Sequence, residues 1–117
     1  GLLCAVESAR RIIDKDNFKN RVNDFLAEGL HILEKYGIDT LSTIDYIIWV
    51  KTWTKKVSED IRRHKGQVEM ESFLDEANTK ERIDRLNKSD SIIVARDYAN
   101  QIAAIRLRHL TELRERL

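Results

Sequence analysis

The sequence predicts an all-α fold: an antiparallel helical bundle of four long helices plus short helical pieces, in one domain over residues 1–117. Three observations carry this. With no proline and only four glycines in 117 residues, few positions force the backbone out of a helix. Apolar residues recur at spacings of three and four, and no strand-like alternation competes with them. A composition of 42% hydrophobic and 35% charged residues suits a patterned chain with one modest core, not a disordered one.

The elements follow in order. Leu3 to Ile13 reads as a short first helix with Val6, Ala9 and Ile13 on one face. The polar run Asp14 to Asn17 is expected to interrupt it, with Asp16 or Asn17 capping what comes next. The second helix, Phe18 to Tyr36, carries the stripe Phe18, Val22, Phe25, Leu26, Gly29, Leu33, Tyr36. A glycine inside a stripe costs about 1 kcal/mol against alanine, so the backbone of a neighbouring helix is expected close to Gly29. Gly37 supplies a left-handed cap. The third helix starts after Asp39 or Thr40 and stops at Gly66, with Tyr46, Val50, Trp53, Val57, Ile61 and His64 as its core stripe. Weaker helical pieces follow, Val68 to Ala77 and Lys80 to Lys88, with a break expected at Ala77 to Thr79. Ser89 or Asp90 caps a final helix running from Ser91 to the end. One face of it collects Ile92, Ala95, Ala99, Ile102, Ala103, Leu110, Leu113 and Leu117, with Arg106 in the middle.

The third helix is unusual in its first half. Ile44 and Ile48 point away from the Tyr46–Val50–Trp53 stripe and Trp49 lies to the other side, so this half is apolar nearly all round. Such a segment is either enclosed by its own chain or covered by another subunit. Both arrangements use the same side chains, so the choice stays open here. If a protein interface exists, Ile44, Ile48, Trp49 and Trp53 are its candidate contacts, since aromatic residues dominate interface hot spots.

The second half is basic, with six Lys or Arg against two acids between residues 51 and 65. Lys51, Lys55 and Arg62 share one side and, with Arg63, form a candidate phosphate-binding stripe. The competing explanation is a hairpin across Gly66 with the acidic stretch 69–90, which holds seven acids and four bases. Arg106 and Arg108 are further candidate phosphate contacts. An arginine in an apolar seam is costly unless it snorkels or meets an internal carboxylate.

Other chemistry finds little support. A formal charge of +1 gives no global attraction to nucleic acid or an anionic membrane. The lone Cys4 cannot form an internal disulfide, which suits a reducing cytoplasm or a virion. The longest apolar run is five residues, too short to span a bilayer. Glu28 and His31 have the spacing of a di-metal bundle ligand pair, but His31 lies opposite the apolar stripe and no second such pair exists. Three histidines without a cysteine cluster make no zinc site. His64-Lys65-Gly66 lacks the two residues that histidine phosphotransfer bundles place between the histidine and the Lys-Gly pair. No glycine-rich phosphate loop is present. The first residue is Gly1, not methionine, which predicts a trimmed or processed chain.

No catalytic residue, metal, cofactor or small-molecule substrate is therefore expected. The residues predict a non-enzymatic interaction or assembly module that self-associates, or binds a protein partner, through an apolar aromatic helix face. The alternative is a nucleic-acid-associated protein, such as a helical viral or archaeal coat protein or a small regulator, using the basic stripe.

Overall fold

The helices begin and end where side chains or a left-handed residue can satisfy loose backbone groups. In a computed structural model, the backbone is described for residues 2–36 and 42–117, and side chains for 17–35 and 42–117. Among these residues there are five helices and no strand: α1 (Leu2–Tyr36), α2 (Thr43–Lys65), α3 (Gln67–Leu74), α4 (Glu76–Lys88) and α5 (Ile92–Glu115). The Gly37 cap lies outside the described residues, as do the side chains of Cys4, Val6, Ala9, Ile13 and Tyr36.

The first two expected helices are one. The chain is helical without interruption from Leu2 to Tyr36, straight through Asp14 to Asn17. Asp and Asn lower helix propensity by only about 0.7 kcal/mol each. Without a proline or glycine, four polar residues do not outweigh the helical turns on either side.

α2 starts at Ser42, whose hydroxyl accepts from the Asp45 amide at 3.1 Å. It stops at Gly66, which takes φ 94°, a value that favours glycine. Ser91, not Ser89 or Asp90, caps α5 by accepting from the Val94 amide.

The break between α3 and α4 lies at Asp75, not at Ala77 to Thr79, which are helical. Asp75 adopts the left-handed conformation (φ 45°, ψ 59°), a region that short polar side chains tolerate. Its carboxylate accepts from Asn78 Nδ2 at 2.9 Å and lies 2.7 Å from His109 Nε2 on α5. The buried Thr79 hydroxyl donates to the carbonyl oxygens of Leu74 and Asp75 on either side of the break, at 2.9 Å each. α3 and α4 thus form one bent element.

Contacts fix the directions. Phe18 stacks on His64, Arg21 pairs with Asp60, and Trp53 reaches Phe25, so α1 and α2 are antiparallel. Arg82 meets Gln101 and Arg85 meets Tyr98, making α4 antiparallel to α5. Tyr46 meets Asn100 and Thr54 meets Arg106, so α2 and α5 run parallel. The result is an antiparallel bundle of α1, α2, bent α3–α4 and α5, with each neighbour along the chain reversed.

Two apolar clusters fill it. The larger joins α1, α2, α3 and α5 around Phe18, Val22, Trp53, Ile61, Phe73 and Leu110. The smaller joins α2, α4 and α5 around Tyr46, Val50, Leu86 and Ile102. Burial holds the Tyr46 phenol in its neutral form, pushing its pKa up to about 12, and the hydroxyl donates to Asn100 Oδ1 at 2.6 Å.

Gly29 is approached closely, but by side chains, not by backbone. A Cβ there would lie 2.6 Å from Leu107 Cδ2 and 3.0 Å from Trp53 Cζ2. Gly29→Ala gains about 1 kcal/mol of helix propensity, against about 1–3 kcal/mol for overpacking a filled core. The Leu107 tip can shift only within buried surroundings, and the indole is rigid. Urea denaturation is expected to show Gly29→Ala less stable by about 1 kcal/mol; a gain would mean that the indole can retreat.

The Asp75 clamp gives a pH dependence. Hydrogen bonds from Asn78 and His109 hold its carboxyl below the usual aspartate range. A lowered folded-state value means stability that is present at neutral pH and lost as pH falls through that value. Asp75→Asn tolerates the left-handed backbone but accepts without charge. Thermal melts should show Asp75→Asn less stable at neutral pH, the gap closing as pH falls below the usual aspartate range. A gap constant with pH would remove the carboxylate's charge from the account.

Candidate interaction surfaces

The apolar half of α2 is divided between core and surface. Trp53 is 1% exposed, and its indole N–H donates to the Phe25 carbonyl of α1 at 3.2 Å. It stacks on Trp49 at 5.7 Å and meets Phe73 edge-on at 6.0 Å. Trp49 is half-buried and packs against both clusters. Trp53 is therefore a core residue and presents no contact surface; Trp49 presents only part of one. The remaining two candidates do face outward, Ile44 at 64% and Ile48 at 56% exposure.

The first turn of α5 adds Ile92, Ile93 and Val94, all exposed. Because α2 and α5 run parallel, their N-terminal turns lie at the same end of the bundle. Five large aliphatic side chains are thus exposed towards that end, Ile92 to Val94 lying about two helical turns beyond Ile44 and Ile48, since Tyr46 lies beside Asn100. The sequence signal for the α5 group was visible as Ile92-Ile93-Val94, three consecutive residues that no single helix face can bury. By spacing only Ile92 falls on the inward stripe, and it is exposed.

The basic half of α2 keeps its charges on the outside. The expected charge-complementary hairpin forms across Gly66 in backbone terms only. Among the described residues no α2 cation pairs with an acid of residues 69–90. Lys56 pairs with Glu28 of α1 at 3.1 Å, and Lys51 donates to Asn87 at 3.3 Å. The acids turn to α5 instead: Glu69 to Arg116 at 3.1 Å and Asp75 to His109 at 2.7 Å. Lys55, Arg62 and Arg63 are exposed and form no ion pair among the described residues.

A groove of about 690 Å³ runs between α1 and α2, lined by Arg21, Lys55, Lys56, Arg63, Glu59 and Asp60 among others. Arg21, which the sequence did not single out, reaches Asp60 at 2.8 Å. Its Nη2 also lies 2.9 Å from His64 Nε2, while His64 Nδ1 lies 3.0 Å from the Asp60 carbonyl oxygen. Guanidinium only donates, so in the neutral ring Nε2 accepts and Nδ1 carries the proton. His64 is held from both sides and stacked on Phe18 at 4.8 Å, a structural arrangement that leaves neither nitrogen unengaged. His31 is exposed, and Glu28 is engaged by Lys56. Among the described residues no cluster of three His, Cys, Asp or Glu could hold a metal, and no helix is long and apolar enough to cross a membrane.

The two α5 arginines part company. Arg108 is exposed on α5 and no contact joins it to the α2 stripe. Arg106 is only 7% exposed, so it cannot meet a nucleic-acid backbone. Neither does it snorkel or meet a carboxylate. Its Nη1 donates to Thr54 Oγ1 at 3.0 Å, and its Nε is buried without any partner. Burial pushes its pKa down to about 10, which leaves it charged at neutral pH.

Among known proteins, no family model matches this chain, and no curated protein or solved structure matches it.

Proposed function

We propose that this chain is a non-enzymatic helical-bundle module that works by self-association, through the end of the bundle where α2 and α5 begin. One observation carries the reading: Ile44, Ile48, Ile92, Ile93 and Val94 are between 43% and 81% exposed at that end. Single exposed aliphatics are ordinary, but several gathered in one region mark contact surfaces. Burying an isoleucine or valine side chain contributes about 1.5–3 kcal/mol, so these four isoleucines and one valine supply an apolar centre for an interface. A second copy brings the same apolar end, which is the self-complementarity a twofold dimer requires. Trp49 and Trp53 support this surface from behind, by fixing α2 on the core.

Sedimentation of wild type beside the double variant Ile48→Ser, Ile93→Ser tests the reading. Both side chains are exposed, so the double variant is expected to keep its fold within about 1 kcal/mol. Wild type should sediment as a dimer or larger at tens of micromolar (a typical range for modest interfaces), and the variant as a monomer. A monomeric wild type at every concentration overturns self-association.

A second reading has its own support. Lys55, Arg62 and Arg63 lie unpaired on the outward side of α2, with Lys51 beside them, as a nucleic-acid-associated protein would use them. Duplex binding followed by fluorescence anisotropy should then weaken steeply with salt. Replacing the three by glutamine should reduce the logarithmic salt slope by about 3, near one per phosphate contact. Binding that ignores salt, or a slope unchanged by the substitutions, removes this reading.

A further inference from the structure

Arg106 is the one described side chain whose buried polar atom lacks a partner. It lines a cavity of about 390 Å³ at the bend between α3 and α4. The cavity is within the size range of small-ligand sites. Leu74 and Ile83 give it apolar wall, Lys80 adds a second cation, and Glu76 and Asp84 line it without pairing to Arg106. Thr79, which also lines it, points its hydroxyl at the Leu74 and Asp75 carbonyls and is not available to a ligand.

We propose that this cavity binds a small organic monocarboxylate, its carboxylate on the Arg106 guanidinium and its carbon body against Leu74 and Ile83. Arginine presents donors in a planar fork that matches a carboxylate with two parallel hydrogen bonds. Nη1 donates to the Thr54 hydroxyl and Nε is enclosed, so Nη2, which has no partner and is not enclosed, is the donor an entering carboxylate meets first. A buried cation whose only acceptor is a neutral hydroxyl lacks the charged partner that offsets desolvation, and an entering carboxylate supplies it. The same cavity disfavours a dianion. Glu76 and Asp84 set two negative charges against Arg106 and Lys80, so a phosphate dianion meets more repulsion than a single carboxylate. Arg106 also lines a second, small cavity of about 70 Å³, whose walls are mostly apolar (Val50, Ile83, Leu86 and Ile102) with Lys51 among them. The site is independent of the self-association surface and of the α2 basic stripe.

The test is an NMR titration of the full chain with sodium acetate, hexanoate, benzoate and phosphate at constant ionic strength, following the Arg106 Nε–Hε resonance. That signal is assigned through the wild-type backbone, so the experiment does not depend on a variant folding. Hexanoate and benzoate are expected to shift it saturably, at least tenfold more tightly than acetate, and phosphate to shift it least. Arg106→Met should lose the rise in melting temperature that the two larger carboxylates give wild type. No saturable shift overturns the site, and tighter binding of phosphate overturns its ligand class. A further arm checks for an internal occupant. If the ligand-free Nε–Hε signal moves across the carboxylate pH range and Asp84→Asn abolishes that movement, Asp84 closes on Arg106 and the proposal fails.

Discussion

The contact of the Trp53 indole with α1 is the constraint on which the bundle depends. The ring lies over Gly29, where any larger residue would collide with it, and its N–H reaches the Phe25 carbonyl one turn earlier. The two features require each other: the absent side chain at 29 is what lets the indole approach closely enough to donate at 25. Trp49 backs the ring, Phe73 of α3 meets its edge, and Leu107 of α5 shares the space above Gly29. Four helices therefore meet at one side chain. Truncating a buried tryptophan costs about 3–5 kcal/mol, a large part of the 5–15 kcal/mol that holds a typical domain folded.

That commitment decides what α2 can show to the outside. Its inward side is used by Tyr46, Val50, Trp53 and Val57, and the outward side runs from Ile44 and Ile48 into Lys51, Lys55 and Arg62. The charged part of this face costs the fold almost nothing, because unpaired surface cations stay hydrated and surface ion pairs contribute only about 0–1 kcal/mol. Arg106 differs. A hydrogen bond from a charged donor is worth about 1.5–3 kcal/mol, whereas removing the charge from water costs several. The surface cations are thus permissive of binding without demanding it, while the buried one is left short of a partner.

The parts of the structure that periodicity reaches were legible in the sequence. Phe18, Val22, Phe25 and Leu26, then Tyr46 to Ile61, then Ala99 to Leu113 all face inward as their spacing indicates, because a helical stripe is a local property. Where the helices break was less legible. Asp14 to Asn17 look like a stop but contain nothing that forbids a helix, and Asp75 looks like one more acidic surface residue. What bends the chain there is a partner 34 positions away, His109. The same limit explains Trp53 and Arg106. A helical wheel separates apolar from polar but not inside from interface, and it cannot report that the acceptor for Arg106 is Thr54, 52 residues distant. A glycine in the stripe marks a close approach at 29, yet whether backbone or ring comes close depends on a tryptophan in another helix.

The bend and the buried arginine belong together. A non-glycine residue in the left-handed conformation costs about 1–2 kcal/mol, and a straight α3–α4 helix would avoid it. Leu74, Glu76, Thr79 and Lys80, which flank Asp75 within a turn or so, are also the residues that wall the cavity over Arg106. The Thr79 hydroxyl donates to the Leu74 and Asp75 carbonyls and makes no hydrogen bond with the guanidinium, and the Asp75 carboxylate is taken by Asn78 and His109. The polar side chains of Asp75, Asn78 and Thr79 are all engaged in holding the bend. The geometry that opens space beside Arg106 is thereby the same geometry that holds the Asp75 carboxylate away from it. That coupling supports the proposal that the cavity is a site and not merely a packing defect.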